Sequence, residues 1–406
     1  MKRNKKVLYL SYDGLSDHIG QSQVLPYLLA CRQGGINLDA ITFEKKANQQ
    51  RIDQIQALLD ERGIKWHRLS FSTGGNLAKI YDFIRFFFKA FWINIRHRYS
   101  IIHCRSYTSA NVGLLIRYVT GRKLIFDTRD FWIDAKVETG RIDLSKPAHR
   151  MVHSFLRFFE KRLFRRADHI VSLTEKAKQV LLKQYPMRKP EDITVIPCCV
   201  DLSLFAPANI PADNTLALRR ELGLEGALVL GYVGSIGPAY MVPRLLECFR
   251  MINEPMPEAR LLFLINNDRE EVYKVADEVG VSRDHIVVTS APRASMPLYI
   301  SMLDAGIFFV TPSFAKQSTS PTKLFEMLAM GKPVITNAGV GDAEKIFREM
   351  PGNYLLPEVT TAAFADAVTW LQNHRREKPV FDLSCYSLDY GAERYLGVYR
   401  KLLEEA

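Results

Sequence analysis

The residues from Ser318 to Glu326 combine the groups that a nucleotide site needs. Polar side chains and a lysine open a predicted helix, and we expect Ser320 to be its N-cap and Pro321 its first residue. A helix start offers unpaired N–H groups and the positive end of the helix dipole, which favour phosphate. Glu326 follows Lys323 by three residues on one face, where a carboxylate could accept both hydroxyls of a ribose. The residues assigned to this site are Ser318, Ser320, Thr322, Lys323 and Glu326.

Glycines that follow predicted strands could let a phosphate approach the backbone closely. Gly20 follows the first predicted strand, and Gly234 with Ser235 follows the strand predicted at 228–233. Because glycine has no Cβ, it tolerates close contact and unusual backbone angles. We therefore add these three residues to the predicted nucleotide site, with ordinary turn glycines as the alternative interpretation.

Polar residues also end two strands predicted earlier in the chain. Alternation along the strand at 101–105 places His103 and Arg105 on the same face. The strand at 123–127 ends in a second polar group, Asp127, Arg129, Asp130 and Trp132. Ligands of doubly wound sheets bind beyond the carboxyl ends of the strands, so we predict a second ligand site here. A buried, hydrogen-bonded His103 and a salt-bridged loop after Asp127 remain the alternatives.

The elements that must position these residues alternate between strand and helix along the whole chain. This pattern predicts an α/β protein built from parallel, doubly wound sheets. We expect a first domain at 1–200 and a Pro-containing linker at 201–214. A second domain is expected at 215–385, with a C-terminal helix at 386–406 that packs back on the first domain.

The net charge is distributed unevenly over the 406 residues. Residues 1–200 carry 35 Lys and Arg against 18 Asp and Glu, a net charge of +17, whereas residues 201–406 carry 20 against 26, a net charge of −6. A basic half could face nucleic acid, an anionic membrane or a phosphorylated ligand. We see no nucleic-acid-binding motif and expect no nucleic acid partner.

Location and cofactors are suggested by what the sequence lacks. No window offers the roughly 20 apolar residues of a membrane-spanning helix, and the apolar run after the basic N-terminus is too short for a signal peptide. The six cysteines show neither zinc spacing nor disulfide density. We expect a cytoplasmic protein with reduced thiols and no cofactor, and we find no carboxylate or His cluster with obvious metal-ligand spacing.

Two segments of the first half combine aromatic with basic residues. Residues 80–98 and 155–166 are both predicted helical, and each interleaves phenylalanines with lysine or arginine. Core packing explains part of this pattern. Many aromatics with basic flanks also fit a helix that lies in a membrane interface, so we predict peripheral contact with the inner face of the cell membrane.

Five motifs together resemble the retaining glycosyltransferases of family four, which have the GT-B fold of two facing Rossmann-like domains. The motifs cover nearly the whole chain and are YDG…GQSQ at 12–23, VIPCCVD at 195–201, GYVGS at 231–235, SPTKLFE at 320–326 and GKPVI at 331–335. The resemblance implies a nucleotide-sugar donor bound mainly by the second domain, an acceptor bound by the first, and no essential metal. It also implies that His103, Arg105 and Asp130 are the catalytic candidates. Asp127, Arg129 and Trp132 are then the acceptor-binding candidates.

Two positions depart from the family pattern. The family has two acidic residues with seven residues between them, and here Glu326 matches the second while Ser318 replaces the first. Many members bind the diphosphate with an Arg and a Lys after the strand that opens the second domain, where this chain has Ser235 and Tyr240. We expect Lys323 to supply that charge, with Lys316 as second choice.

The resemblance implies a retaining glycosyltransferase that moves a hexosyl-type sugar from a nucleotide-sugar to a glycan acceptor. In similar bacterial enzymes this reaction builds cell-surface polysaccharide, and we expect a lipid-linked acceptor. Two alternatives stay open: a non-catalytic GT-B partner of an active transferase, and a GT-B nucleotide-sugar epimerase.

Overall fold

The computed structural model describes residues 5–374 and 379–405. Residues 1–4, with the basic Lys2 and Arg3, and the last residue of the predicted C-terminal helix lie outside the described residues. The chain divides into two compact units: unit 1 comprises Met1–Cys199 with Leu388–Ala406, and unit 2 comprises Val200–Ser387.

Unit 1 is built on a parallel sheet whose strand order is β3-β2-β1-β4-β5-β6-β7. Its strands are β1 Lys6–Ser11, β2 Asn37–Glu44, β3 Trp66–Ser70, β4 Ile101–Arg105, β5 Lys123–Asp127, β6 His169–Ser172 and β7 Ile193–Val195. The central strands are apolar on both faces because helices cover both sides of a parallel sheet. The carboxyl ends of β1, β4 and β5 lie side by side.

The helices of unit 1 include one from the end of the chain. They are α1 His18–Gln23, α2 Leu25–Gln33, α3 Gln49–Glu61, α4 Gly75–His97, α5 Ser106–Thr120, α6 Trp132–Glu138, α7 Pro147–Arg166, α8 Glu175–Gln184 and, at the C-terminus, α16 Leu388–Glu404. The apolar face of α16 packs against α2, where its buried side chains join the core of unit 1.

Unit 2 repeats the architecture with the strand order β10-β9-β8-β11-β12-β13, again parallel. Its strands are β8 Leu228–Val233, β9 Ala259–Leu264, β10 Ile286–Thr289, β11 Ala305–Ile307, β12 Val334–Asn337 and β13 Tyr354–Leu356. Its helices are α9 Ala212–Glu221, α10 Val242–Asn253, α11 Arg269–Val279, α12 Met296–Ser301, α13 Thr322–Ala329, α14 Ala343–Glu349 and α15 Thr361–His374. The predicted α/β class with two doubly wound domains is confirmed.

Three predicted elements differ from the structure. The sequence pattern predicts one helix at 22–32, but the structure has two helices separated at Val24, whose φ of −130° is not helical. Pro26 follows, and its missing N–H cannot continue the hydrogen bonding of α1. The predicted linker at 201–214 already contains the start of α9. The apolar run at 305–310 predicts one strand, but the strand ends at Ile307.

Within the described residues, none of the helices combines the length and the apolar character needed to cross a membrane.

Candidate functional site

The loop after β8 and the start of α13 meet in unit 2 around one lysine. Gly234 directly follows β8 and has a φ of +93°, a backbone conformation that favours glycine. A Cβ on Gly234 would lie 3.5 Å from Nζ of Lys323. Tyr232 fixes this loop because its hydroxyl donates to the carbonyl of Ser235 at 2.8 Å. The glycine therefore leaves open the space beside the lysine amine.

Lys323 is buried among aromatic rings. Its Nζ lies 3.9 Å from the ring centre of Tyr232, 4.0 Å from that of Tyr240 and 5.6 Å from that of Phe308. We call these three rings the aromatic cage. In the part of the chain that the structure describes, this Nζ has no hydrogen-bond partner. Burial lowers the pKa of Lys323 to about 7, and nearby Glu326 raises it only in part. A buried amine without a hydrogen-bond acceptor is ready to bind an anion.

Glu326 lies one helical turn further along α13 and is paired with Arg293. Nη1 of Arg293 donates to Oε1 of Glu326 at 2.8 Å, and the carboxylate is almost wholly buried. Burial raises the pKa of Glu326, and the charge and hydrogen bond of Arg293 oppose this rise. Arg293 also stacks over Phe205. Arg293 thus holds the carboxylate in one orientation.

The start of α13 is one residue later than predicted. The helix begins at Thr322, and Pro321 is its N-cap with a ψ of 115°, so the expected roles of Ser320 as N-cap and Pro321 as first residue are wrong. Gly331, followed by Pro333, predicts the end of this helix, and the structure agrees: Gly331 has a φ of +66°, and its N–H donates to the carbonyl of Leu328 at 2.9 Å.

The other polar residues before α13 are placed by local contacts. Ser318 is buried, and its hydroxyl donates to the carbonyl of Ala315 at 2.7 Å. Ser320 and Thr322 are half-buried next to the helix start. Lys316 accepts the N–H of Gly341 on its backbone carbonyl at 2.8 Å. Ser318, Ser320 and Thr322 therefore lie beside Lys323 in the chain, and their role in ligand binding stays a prediction.

This arrangement can bind two chemical groups at once. A protonated Lys323 with the open backbone at Gly234 suits a phosphate or diphosphate, because charge-assisted hydrogen bonds to phosphate are strong. The carboxylate of Glu326 suits a vicinal diol such as that of ribose. Phosphate and ribose are joined in every nucleotide.

The polar residues of unit 1 form a separate cluster. His103 is buried, with Nδ1 at 2.5 Å from the hydroxyl of Tyr399 and Nε2 at 3.5 Å from Oδ2 of Asp127. Asp127 accepts the hydroxyl of Tyr395 at 2.8 Å and Nη1 of Arg129 at 3.2 Å. Burial lowers the pKa of His103. Burial alone would raise the pKa of Asp127, but Arg129 and His103 lower it overall. Helix α16 therefore covers both side chains.

The remaining candidates of unit 1 lie at the same edge of its sheet. Nε of Arg105 lies 3.5 Å from Oδ2 of Asp13 in the loop after β1. Asp130 is half-buried, and its carbonyl accepts the hydroxyl of Thr128. Trp132 stacks on Tyr107 with ring centres 5.7 Å apart. The catalytic and acceptor-binding roles of these residues stay predictions.

Gly20 is required by packing. A Cβ on Gly20 would lie 1.9 Å from the carbonyl oxygen of Gly14, closer than any side chain could fit. The buried carboxylate of Glu44 holds the same loop by accepting the N–H of Leu15 at 2.7 Å and of Ser16 at 3.1 Å. Packing therefore explains why position 20 is a glycine, and this explanation does not depend on a ligand.

Two parts of the site were missed by the sequence reasoning. Arg293 has no motif of its own and lies 33 residues before Glu326, so only tertiary structure brings them together. The aromatic cage could have been suspected, because Tyr240 occupies the region where the family pattern expects a lysine.

Two family models match the chain in sequence order. The model described as Glycosyltransferase Family 4 matches residues 30–204, and the model described as Glycosyl transferases group 1 matches residues 227–374. These ranges fall in unit 1 and unit 2 almost entirely.

Two curated relatives match part of the chain. The glycosyltransferase TuaH of Bacillus subtilis, named for teichuronic acid biosynthesis, is 26% identical over 57% of this chain and 54% of its own length. A D-inositol 3-phosphate glycosyltransferase of Segniliparus rotundus is 27% identical over 49% of this chain and 43% of its own length. The chain thus spans about half the length of these relatives.

Solved structures show the same fold. The crystal structure of HepE from Anabaena, in complex with UDP and glucose, superposes with a TM-score of 0.66 at 13% identity and covers 99% of this chain and 98% of HepE. At this identity the likeness concerns the fold alone.

Proposed function

Because the chain belongs to the family 4 glycosyltransferases with the GT-B fold, we propose that it transfers a sugar from a nucleotide-sugar to a glycan acceptor. The proposed reaction retains the anomeric configuration of a hexosyl-type sugar. The proposed acceptor is lipid-linked, and the product is part of a cell-surface polysaccharide. Neither metal nor cofactor is part of the proposal.

One observation carries the donor half of this proposal. The buried Nζ of Lys323 faces the open backbone of Gly234 and has no hydrogen-bond partner among the described residues. Lys323 and Glu326 lie on one turn of α13, so one short helix supplies both the phosphate ligand and the ribose ligand. When the sugar leaves, negative charge develops on the diphosphate, and a fixed ammonium in a dry site stabilises that charge.

In the proposed mechanism the protein mainly positions its two substrates. Attack from the same face as the leaving group needs no nucleophile from the protein. Ser318, where the family has an acid, would then affect the choice of donor sugar rather than the reaction itself. Unit 1 would bind the acceptor at the edge where β1, β4 and β5 end.

A thermal-shift screen with UDP-, GDP- and dTDP-sugars tests the donor assignment. A donor present at about 100 times its dissociation constant should stabilise the folded protein by about 2.7 kcal/mol, and the matching nucleoside diphosphate should do so too. If none of the three series shifts the unfolding temperature, the donor assignment is wrong.

The membrane part of the proposal rests on two exposed faces of unit 1. Helix α4 buries Phe86 and Ile93 yet exposes Phe88 and Trp92, each about three-fifths exposed. Arg96 stacks over Trp92, so cation and ring share the surface. On α7, which like α4 packs against α5, the exposed apolar side chains are Met151, Val152, Phe155 and Phe158. Apolar groups with arginines beside them suit the interface of an anionic membrane.

Replacing Trp92 by Glu is expected to reduce binding to vesicles. The change removes an aromatic anchor and adds a charge that anionic lipid repels, so sedimentation with phosphatidylglycerol vesicles should fall about tenfold. Leu216→Glu is the matched control, because Leu216 is an exposed apolar residue of unit 2. Equal sedimentation of the wild type and Trp92→Glu would contradict the membrane assignment.

A further inference from the structure

Arg105 is a buried cation that the donor site does not use. It ends β4, at the carboxyl edge of the sheet of unit 1, and its side chain is only 5% exposed. Among the residues that the structure describes, neither Nε nor Nη1 has a hydrogen-bond partner. Buried guanidinium nitrogens without hydrogen bonds cost stability, so their place at the carboxyl edge of the sheet calls for a functional reason.

The neighbouring carboxylates do not satisfy Arg105. Asp127 is taken by Arg129, Tyr395 and His103. Asp13 is 46% exposed, and its Oδ2 lies 3.5 Å from Nε without a hydrogen bond. Asp13 therefore offsets the charge only in part.

The backbone directly after Arg105 adds to the same site. Ser106 has a φ of +64°, a left-handed conformation that a serine rarely adopts. It is the first residue of α5, a helix of fifteen residues whose first N–H groups and positive dipole end lie at this edge. The guanidinium of Arg105, whose Nε and Nη1 form no hydrogen bond among the described residues, and the helix start are therefore consecutive in the chain and carry charge of the same sign.

We propose that Arg105 and the start of α5 bind a phosphoryl group of the acceptor. Guanidinium nitrogens bind phosphate oxygens in a fork geometry that a lysine cannot reproduce. The inference rests on the proposed function for the existence of an acceptor, and it adds the acceptor's chemical class. A polyprenyl phosphate and a soluble sugar phosphate share this chemistry.

Calorimetry on protein saturated with the best-binding nucleoside diphosphate tests the site, because the donor site is then filled. The two probe pairs are farnesyl phosphate with farnesol, and glucose 1-phosphate with glucose. We expect a phosphorylated probe to bind at least about tenfold more tightly than its hydroxyl counterpart, as hydrogen bonds to charged groups imply. A preference in the farnesyl pair indicates a lipid source, and a preference in the glucose pair indicates a soluble one.

Variants assign the preference to Arg105. Arg105→Met should abolish it, Arg105→Lys should keep part of it, and Arg62→Met, an exposed arginine of unit 1, should leave it unchanged. No phosphate preference in the wild type, or a full preference in Arg105→Met, overturns the inference. If the wild type still binds nucleoside diphosphate, either result refutes only this inference and not the proposed function. If the wild type does not bind nucleoside diphosphate, the proposed function itself is refuted.

Discussion

Replacing Lys323 by Met is expected to stabilise the protein and to abolish donor binding. The ammonium is buried among three aromatic rings, and methionine fills a similar volume without a charge. Replacement of buried charges by apolar residues often stabilises a protein by about 1–4 kcal/mol. Glu326 keeps its partner Arg293 in the variant. A gain in stability with a loss of function is the signature of a residue retained for binding.

The gain in stability should depend on pH in a defined direction. The pKa of Lys323 is about 7 in the folded protein against an ordinary value of 10.5. Between these values the unfolded chain binds more protons, so the wild type becomes more stable as the pH rises. The advantage of Lys323→Met is therefore largest below pH 7 and shrinks towards pH 10.5. Urea unfolding at pH 6, 8 and 9.5 measures it.

The loss of binding is measured by calorimetric titration of nucleoside diphosphate into the same variant. We expect at least about a tenfold weaker affinity, because a charge-assisted hydrogen bond to phosphate is lost. Lys274→Met, at an exposed position of α11, is the control and should bind as the wild type does. Unchanged affinity in Lys323→Met would show that the diphosphate binds elsewhere.

Replacing Glu326 by Ala is expected to destabilise the protein and to remove recognition of the ribose. The change leaves Arg293 and Lys323 without their carboxylate. Breaking a fully buried ion pair costs about 3–5 kcal/mol. Since the Arg293 side chain is 22% exposed, water recovers part of that cost, and a loss of about 2–3 kcal/mol is expected.

Ribose recognition is measured separately, as the ratio of the affinities for UDP and for 2′,3′-dideoxy-UDP. If another nucleotide binds better, that nucleotide and its dideoxy analogue are compared instead. The wild type should show a preference for the ribose form and Glu326→Ala should not, whereas Glu326→Asp should restore part of it. Arg293→Met should weaken the preference most at low pH, because without Arg293 the pKa of Glu326 rises further. A preference that survives in Glu326→Ala would remove Glu326 from the ribose site.

Local sequence patterns predicted most of the fold because the central strands are continuous apolar runs. The end of α13 was predicted as well, since Gly331 and Pro333 are local signals. One short strand and one break in a helix were missed. Strand β13 has three residues, which are too few to show the alternation of apolar and polar residues that marks a strand. The break at Val24 depends on one proline.

The candidate site was predictable where its parts are close in sequence. Lys323 and Glu326 share one helical turn, whereas Arg293 and Tyr232 reach them only through the fold. In unit 1, strand alternation placed His103 and Arg105 on the same face of β4. It could not show that Tyr399, 296 residues later, would cover the imidazole.

Proton NMR of the purified protein with its nucleotide-sugar and a membrane lipid extract observes the proposed sugar transfer itself. We expect a new anomeric signal with the donor's configuration and the release of nucleoside diphosphate in step with it. We also expect both signals to require the lipid extract. An epimerised donor or free sugar formed without extract would indicate an epimerase. No reaction with a donor that binds would indicate a non-catalytic protein, and either result would refute the proposed glycosyltransferase activity.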